Sequence, residues 1–251
     1  VALSEINIPS YVLTIEQKGG ERRNHAIQQL SALGLRASFI QGFKKNDPSI
    51  LSAYNGFLNR LLSKRSLTNG EIAVYCGHRK IWREFLSSDH AYALVFEDDF
   101  RVIDEEKFSR AIQDGLTQPQ NWDILKFFDF KPKRVLERRA IGSTGIVRYK
   151  YAASGAVAYL IDRKAAQKLS SRKRFFRAVD EDLSWPWELG LSIWSVSPNL
   201  VEEVSHNLGG SLLEMDRKST KRRRNIARSL WGNVIQAYKL ARSKAYNSSF
   251  G

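Results

Sequence analysis

Residues 91–96, Ala-Tyr-Ala-Leu-Val-Phe, form an apolar run that halts on three acids, Glu97, Asp98 and Asp99. A half-exposed strand would alternate with polar positions; an uninterrupted short run fits a strand covered on both faces. Such strands belong to sheets with helices on either side. Ligands of open α/β sheets collect beyond the carboxyl ends of the strands. The run therefore marks a central strand and carries three carboxylates to the end where a ligand would bind. Neighbouring segments agree. Residues 11–15 read as a buried strand, Gly19-Gly20 as a turn, and residues 21–33 as a helix stopped by Gly34. Ala26, Ile27, Leu30 and Leu33 give that helix its apolar stripe. Residues 37–41 read as a second strand, closing a βαβ unit. Further strands are expected at 123–128 and 156–161, a helix at 164–169, and a strand-like stretch at 195–204. This alternation gives an α/β fold with a largely parallel sheet and no internal repeat.

Thr68-Asn69-Gly70-Glu71 is a capping box, with Leu67 and Ile72 placed as its hydrophobic staple, and it opens a helix through Leu86. At helical spacing Glu71, Tyr75, His78 and Trp82 share one face near the centre of the apolar arc, so Glu71 and His78 point inward. Buried polar groups need partners. The two serve each other or a ligand, or else Glu71 completes the cap and His78 is a hydrogen-bonded core histidine. The acids at 97–99 also have two readings. Three adjacent carboxylates hold their charge best around a hard divalent ion such as Mg²⁺ or Mn²⁺; otherwise they end a strand in solvent.

Charge divides the chain. Lys plus Arg is 40 against 26 Asp plus Glu, a net +14. From Arg217 onward there are ten basic residues and no acid, leaving 30 basic and 26 acidic side chains, or +4, on the first 216 residues. The composition shifts at Met215, which places a boundary between a body, 1–215, and a tail, 216–251. From Asn225, apolar Ala227, Leu230, Trp231, Val234, Tyr238 and Ala241 recur at helical spacing. A basic amphipathic helix suits an anionic membrane surface, here through residues 217–244; the same pattern also suits packing on the core or pairing in a homodimer. A nucleic-acid-binding protein is the alternative from another class. It predicts charge over the body, and the body is nearly neutral, so no nucleic acid is expected as partner. Hydrophobic residues at 43% and charged ones at 26% exclude disorder and collagen. The single cysteine, Cys76, excludes an internal disulfide framework and fits a reducing compartment. The apolar run 155–161 is too short to span a bilayer, and residues 1–10 lack the basic start and apolar stretch of a signal peptide.

The order of these features resembles glycosyltransferase family 25, the bacterial lipooligosaccharide β-galactosyltransferase group. The residues that carry the likeness are the strand at 11–15 with Glu21-Arg22-Arg23, then Leu67 to Ala73 with His78 and Trp82, then Ala93 to Asp99. Ser154-Gly155 with Ala158 to Ile161 and Arg163 to Ala166, Val179-Asp180-Glu181, and Ser197 to Val201 complete it. The likeness covers roughly residues 8 to 215, and Gly77 departs from it, standing where the family usually has Ser. It implies a GT-A fold that binds a nucleotide-sugar near the first βαβ unit. It implies inverting transfer of a hexose, galactose or glucose, from a UDP-sugar to a lipopolysaccharide or lipooligosaccharide core saccharide, assisted by Mn²⁺ or Mg²⁺. Carried over residue by residue, Glu97 and Asp99 are the outer members of a metal motif. His206 is placed to reach the metal or diphosphate, or is a plain loop histidine. Arg22, Arg23, Glu71, His78, Glu97, Asp98 and Ser154 fall to the donor side. Asp180 is the candidate base, with Glu181 and Asp182 as local rivals; Asp180 reads equally as the N-cap of a short helix. The lipid-linked acceptor implies a cytoplasmic protein, peripheral on the inner face of a bacterial inner membrane.

Overall fold

Tyr92–Glu97 forms β3, and Ala93, Leu94, Val95 and Phe96 within it are wholly buried, as an unbroken apolar run requires. In the computed structural model, which describes residues 7–117, 122–210 and 226–249, this strand lies third in an eight-stranded sheet. On one side β1 (Ser10–Thr14) pairs with it in parallel, and β2 (Ser38–Gln41) pairs in parallel with β1, with α1 (Glu21–Ala32) as the crossover. On the other side β8 (Ala158–Asp162) runs antiparallel to both β3 and β5 (Ile124–Lys126). β9 (Ile193–Val196) is parallel to β5, and the hairpin of β6 (Val135–Ile141) and β7 (Thr144–Tyr149) finishes the edge. The order is β2-β1-β3-β8-β5-β9-β7-β6. Six of the eight strands point one way and β7 and β8 oppose them, so the sheet is mostly parallel in direction yet mixed in its pairing.

Alternate residues of the strands feed two core layers, as the period of two dictates. Val12, Leu94, Phe96 and Leu160 pack with Ala26 and Leu30 of α1 and with Phe108 and Ile112 of α4 (Glu105–Thr117). Leu13, Val95, Tyr159 and Ile161 pack on the opposite face with α3 (Asn69–Leu86) and α5 (Arg163–Ser170). α5 begins at the start of β3, where the Arg163 N–H donates to the Ala91 carbonyl (2.9 Å), and only α3 reaches the end from which the acids emerge, through His78.

The stretch expected as one strand over 195–204 is two. β9 ends at Val196, a cis Ser197–Pro198 bond follows, and β10 (Val201–Glu203) pairs with β4 (Phe100–Val102) in a separate small sheet. Proline cannot donate to a ladder, so the chain changes sheet there. A short α2 (Gly56–Leu62) precedes α3, and α6 (Val179–Leu183) carries the three acids at 180–182. The last helix, α7 (Ile226–Ser248), lies against the body: Trp231 Nε1 donates to the Leu61 carbonyl (2.6 Å), and Asn247 Nδ2 to the Tyr149 carbonyl (2.9 Å). The boundary expected near Met215 and the cations at 217–224 fall outside the described residues. No helix among the described residues is long and apolar enough to cross a membrane.

Candidate active site

Thr14 ends β1 beside the acids that end β3, and its hydroxyl donates to Asp98 Oδ2 (2.6 Å). Arg22, in the first turn of α1, donates Nη1 to Asp98 Oδ1 (2.9 Å) and Asp99 Oδ2 (3.1 Å), and Nη2 to the Gly210 carbonyl (3.0 Å). Glu16 fixes that turn by accepting the backbone N–H groups of Arg22 (2.9 Å) and Arg23 (3.3 Å), which have no partner within the helix. Arg23 goes elsewhere: its guanidinium lies over the Phe39 ring, 4.5 Å from the centroid. Burial pushes the Asp98 carboxyl above its ordinary range, against Thr14 and Arg22. Asp99 is pushed up to about 7, by burial first and then by the charge of Glu97, with Arg22 opposing. Its Oδ1 is buried and accepts no hydrogen bond, the kind of oxygen that a cation or a donor would satisfy.

Glu97 is oriented from behind. His78 Nε2 lies 3.2 Å from Glu97 Oε1 and His78 Nδ1 lies 2.9 Å from the Tyr159 hydroxyl, to which Trp82 Nε1 also donates (2.9 Å). An indole N–H only donates, so the hydroxyl accepts from Trp82 and turns its own proton to His78 Nδ1. His78 Nε2 then carries the proton that faces Glu97, an assignment made from the network. Burial raises the Tyr159 phenol far above its ordinary range, so that proton stays in place.

Glu71 is committed differently. Arg65 grips both its oxygens (2.6 and 2.5 Å), and the Thr68 backbone N–H reaches Oε2 (2.9 Å), completing the capping box. The ring nitrogens of His78 go to Tyr159 and Glu97, so Glu71 and His78 do not serve each other.

The acids of α6 form a second cluster. Its N-cap is Ala178, so Asp180 stands inside the first turn rather than capping it. Asp182 is tied down, by Tyr75 OH (2.7 Å), Arg172 Nε (3.1 Å) and Arg177 Nη1 (3.3 Å). Asp180 Oδ1 accepts the Glu181 N–H (2.9 Å). Burial pushes the Glu181 carboxyl up; Lys239, Arg177 and Arg65 hold it back, and Asp180 adds to the rise. The same face of α3 reaches both clusters, through Tyr75 to Asp182 and through His78 to Glu97. Three residues along a helix rise ~4.5 Å, so the anchors of the two acid groups stand about one turn apart on one rigid element.

Ser154 lies in the loop beside the end of β3. Its carbonyl accepts the Phe130 N–H (3.0 Å), and the Val157 carbonyl accepts the Glu97 N–H (2.8 Å). Gly155 has φ +128°, and a Cβ there would stand 3.1 Å from the Phe128 carbonyl, so the loop needs glycine to hug β5. His206 is exposed, in a turn over Ser205–Asn207 that starts where Val204 N–H donates to the Asp99 carbonyl (2.9 Å). Among the described residues no three His, Cys, Asp or Glu side chains converge as a metal group, so Glu97, Asp99 and His206 are not drawn together; Arg22 reaches Asp99 instead. Thr14, Tyr159 and Lys239 join these clusters from afar, while Arg65 and Arg177 stand six and five residues from Glu71 and Asp182, and no local pattern in the sequence marks any of them.

A model of the family described as glycosyltransferase family 25 (LPS biosynthesis protein) matches residues 7–184. A glycosyltransferase 25 family member of Aedes aegypti is 28% identical over 183 residues, covering 68% of this chain and 29% of that protein. The lipooligosaccharide biosynthesis protein lic2B of Haemophilus influenzae is 26% identical over 172 residues, covering 64% of this chain and 62% of its own. A probable inactive glycosyltransferase 25 family member 3 of Rattus norvegicus is 32% identical over 123 residues, covering 48% of this chain and 21% of that protein. The chain therefore spans less than two thirds of the length of each of these relatives.

Proposed function

The chain belongs to glycosyltransferase family 25, and from that premise we propose that it transfers a hexose, galactose or glucose, from a UDP-sugar with inversion to a lipopolysaccharide or lipooligosaccharide core saccharide. A GT-A arrangement is part of this reading, with the donor near β1, α1 and the end of β3. The observation that carries it is the buried, unbonded Oδ1 of Asp99 at the end of a central strand. Glu97 stands two residues away, 24% exposed and hydrogen-bonded through Oε1. These two carboxylates suit a hard divalent ion, which prefers oxygen ligands and leaves room for phosphates. Mn²⁺ or Mg²⁺ held there would supply positive charge to a leaving diphosphate. Arg22 and Thr14 hold Asp98 and so set the turn that presents Asp99. Asp180 or Glu181 takes the proton of the acceptor hydroxyl, a role closed to Asp182, which is hydrogen-bonded by Tyr75 and Arg177 and paired with Arg172. The protein works at the inner face of a bacterial inner membrane, held to its anionic surface by α7 and its basic approach.

One observation favours a second reading. Arg22 bridges Asp98 and Asp99, which would suit a chain that binds no metal and is inactive, and one relative carries the name probable inactive family member. Release of UDP from a panel of UDP-sugars with Mn²⁺ decides between them. Turnover that Asp99→Ala abolishes while melting stays cooperative is the expected result. No release from any donor, with no rise in melting temperature on adding UDP and Mn²⁺, would place the chain with the inactive relatives.

A further inference from the structure

We propose that α7, which lies beyond the family-matched segment, is a wall of the catalytic site, and that Lys239 is the residue through which it positions Glu181. The inference rests on the reading above that assigns the base to the Asp180–Glu181 pair.

α7 is built the wrong way round for a helix that merely covers a core. Leu230, Trp231, Val234 and Tyr238 are exposed, while Ser243 and Asn247 are buried. Between them Lys239 turns toward α6, and its ammonium donates to the Ser184 hydroxyl. That hydroxyl in turn donates to the Glu181 carbonyl (2.6 Å), closing the last turn of α6. The same ammonium stands 5.6 Å from the centre of the Trp185 ring, whose face also carries the Arg177 guanidinium at 3.6 Å. The Tyr238 ring packs 6.5 Å from Trp185, and Tyr246 OH reaches the Leu191 carbonyl (3.3 Å).

Withdrawing an ammonium from water is costly, and packing alone is better served by leucine. A lysine is worth placing here for its charge. Burial pushes Lys239 down to about 8, Arg177 and Lys133 add to the fall, and Glu181 and Asp180 pull it back. The field is reciprocal: Lys239 is the first of the cations that hold down the Glu181 carboxyl, ahead of Arg177 and Arg65, while Asp180 raises it. A base must be ionised to accept the acceptor's proton, and these cations oppose the burial that disfavours its ionised form.

Steady-state transfer by the full chain tests this, with UDP-galactose as donor and O-deacylated lipooligosaccharide as acceptor. Lys239→Met should lower kcat by about tenfold or more at neutral pH, leave UDP affinity unchanged, and move the acid limb of the rate profile to higher pH. Lys239→Arg should recover most of the rate. A helix that only packs would not move the acid limb. Wild-type turnover with an unshifted limb in Lys239→Met overturns the inference. If that variant melts without cooperativity, Ser184→Ala replaces it, removing the anchor and sparing the charge; a wild-type rate there overturns the inference equally. Two controls separate the layers. Wild-type turnover in both Asp180→Asn and Glu181→Gln removes the base assignment and this inference with it. A slow Glu181→Gln beside an unaffected Lys239→Met removes this inference alone.

Discussion

The Tyr159 hydroxyl is wholly buried, with one proton to give, and its two neighbours decide the direction of each bond on the way to Glu97. Tyr159→Phe strands the Trp82 N–H and His78 Nδ1 together. An unsatisfied buried group costs about 1–3 kcal/mol, so the variant should lose stability on that order in urea denaturation. It should also transfer more slowly at unchanged UDP affinity, because nothing then fixes which His78 nitrogen faces Glu97. Trp82→Phe should slow transfer less, because Tyr159 stays bonded to His78 and loses only the donor that fixes the direction of its proton. Wild-type kcat in Tyr159→Phe would show that the relay does not orient Glu97. The inward face at 71, 75, 78 and 82 was readable because helical geometry fixes direction; the partner was not, because Tyr159 lies 81 positions beyond His78. Gly77 has a similar long-range reason. A Cβ there would lie 2.5 Å from Leu13 Cδ1, so β1 leaves no room for the family's Ser unless Leu13 moves.

At the scale of elements, α3 ties the site to its own start. Thr68 Oγ1 accepts the Glu71 N–H (3.2 Å), and Glu71 returns a bond to the Thr68 N–H. Since Arg65 holds the same carboxylate, Glu71→Gln should cost about 1.5–3 kcal/mol of stability, the range for hydrogen bonds to charged groups, and leave UDP affinity unchanged. Isothermal titration beside thermal melting checks both. A tenfold weaker UDP affinity with full stability would return Glu71 to the donor side. Elements with strong local signals were legible in the sequence: the capping box, the apolar run of β3, and the stripe of α1 except for Ile27, which is exposed. Others were not anticipated. α4 carries a readable stripe of Phe108, Ala111, Ile112 and Gly115, with Asp104 Oδ1 accepting the Lys107 N–H (3.0 Å). β6 offers less, because it is a charged edge strand whose place depends on β7 across the two-residue turn at Gly142-Ser143. The acid clusters were half legible. Their carboxylates announce themselves in sequence, but the cations that set their charge, Arg22, Arg65, Arg177 and Lys239, are assembled only by the fold.

At the scale of the whole molecule, α2 and α7 both leave large apolar side chains exposed. Phe57 and Leu61 of α2 are exposed, the former at 76%, and Trp231 Nε1 bonds to the Leu61 carbonyl. Trp231 thus brings α7 beside α2, with exposed Leu230 and Val234 near it on the same helix and Lys64 reaching Asn233 (2.8 Å). A tryptophan and leucines among cations suit the boundary of an anionic bilayer, where each Lys or Arg contributes about 1 kcal/mol. Salt screens that attraction over a Debye length of roughly 10 Å at 0.1 M. The full chain should thus sediment with phosphatidylglycerol-rich vesicles at low salt and come free at high salt. Two changes to the tail then separate two uses of it. Replacing Leu230, Trp231 and Val234 by Ser should abolish sedimentation and leave transfer to a soluble saccharide intact, since these side chains face away from α6. Truncation after Met215 should abolish sedimentation and slow transfer at least as much as Lys239→Met, because it also removes Lys239 from Ser184. Sedimentation that survives the triple serine variant would leave charge alone as the anchor, and a full chain that stays in solution beside the vesicles at low salt would sink the membrane reading. Concentration-dependent light scattering lost in that same variant would assign the apolar surface to a second copy of the chain instead.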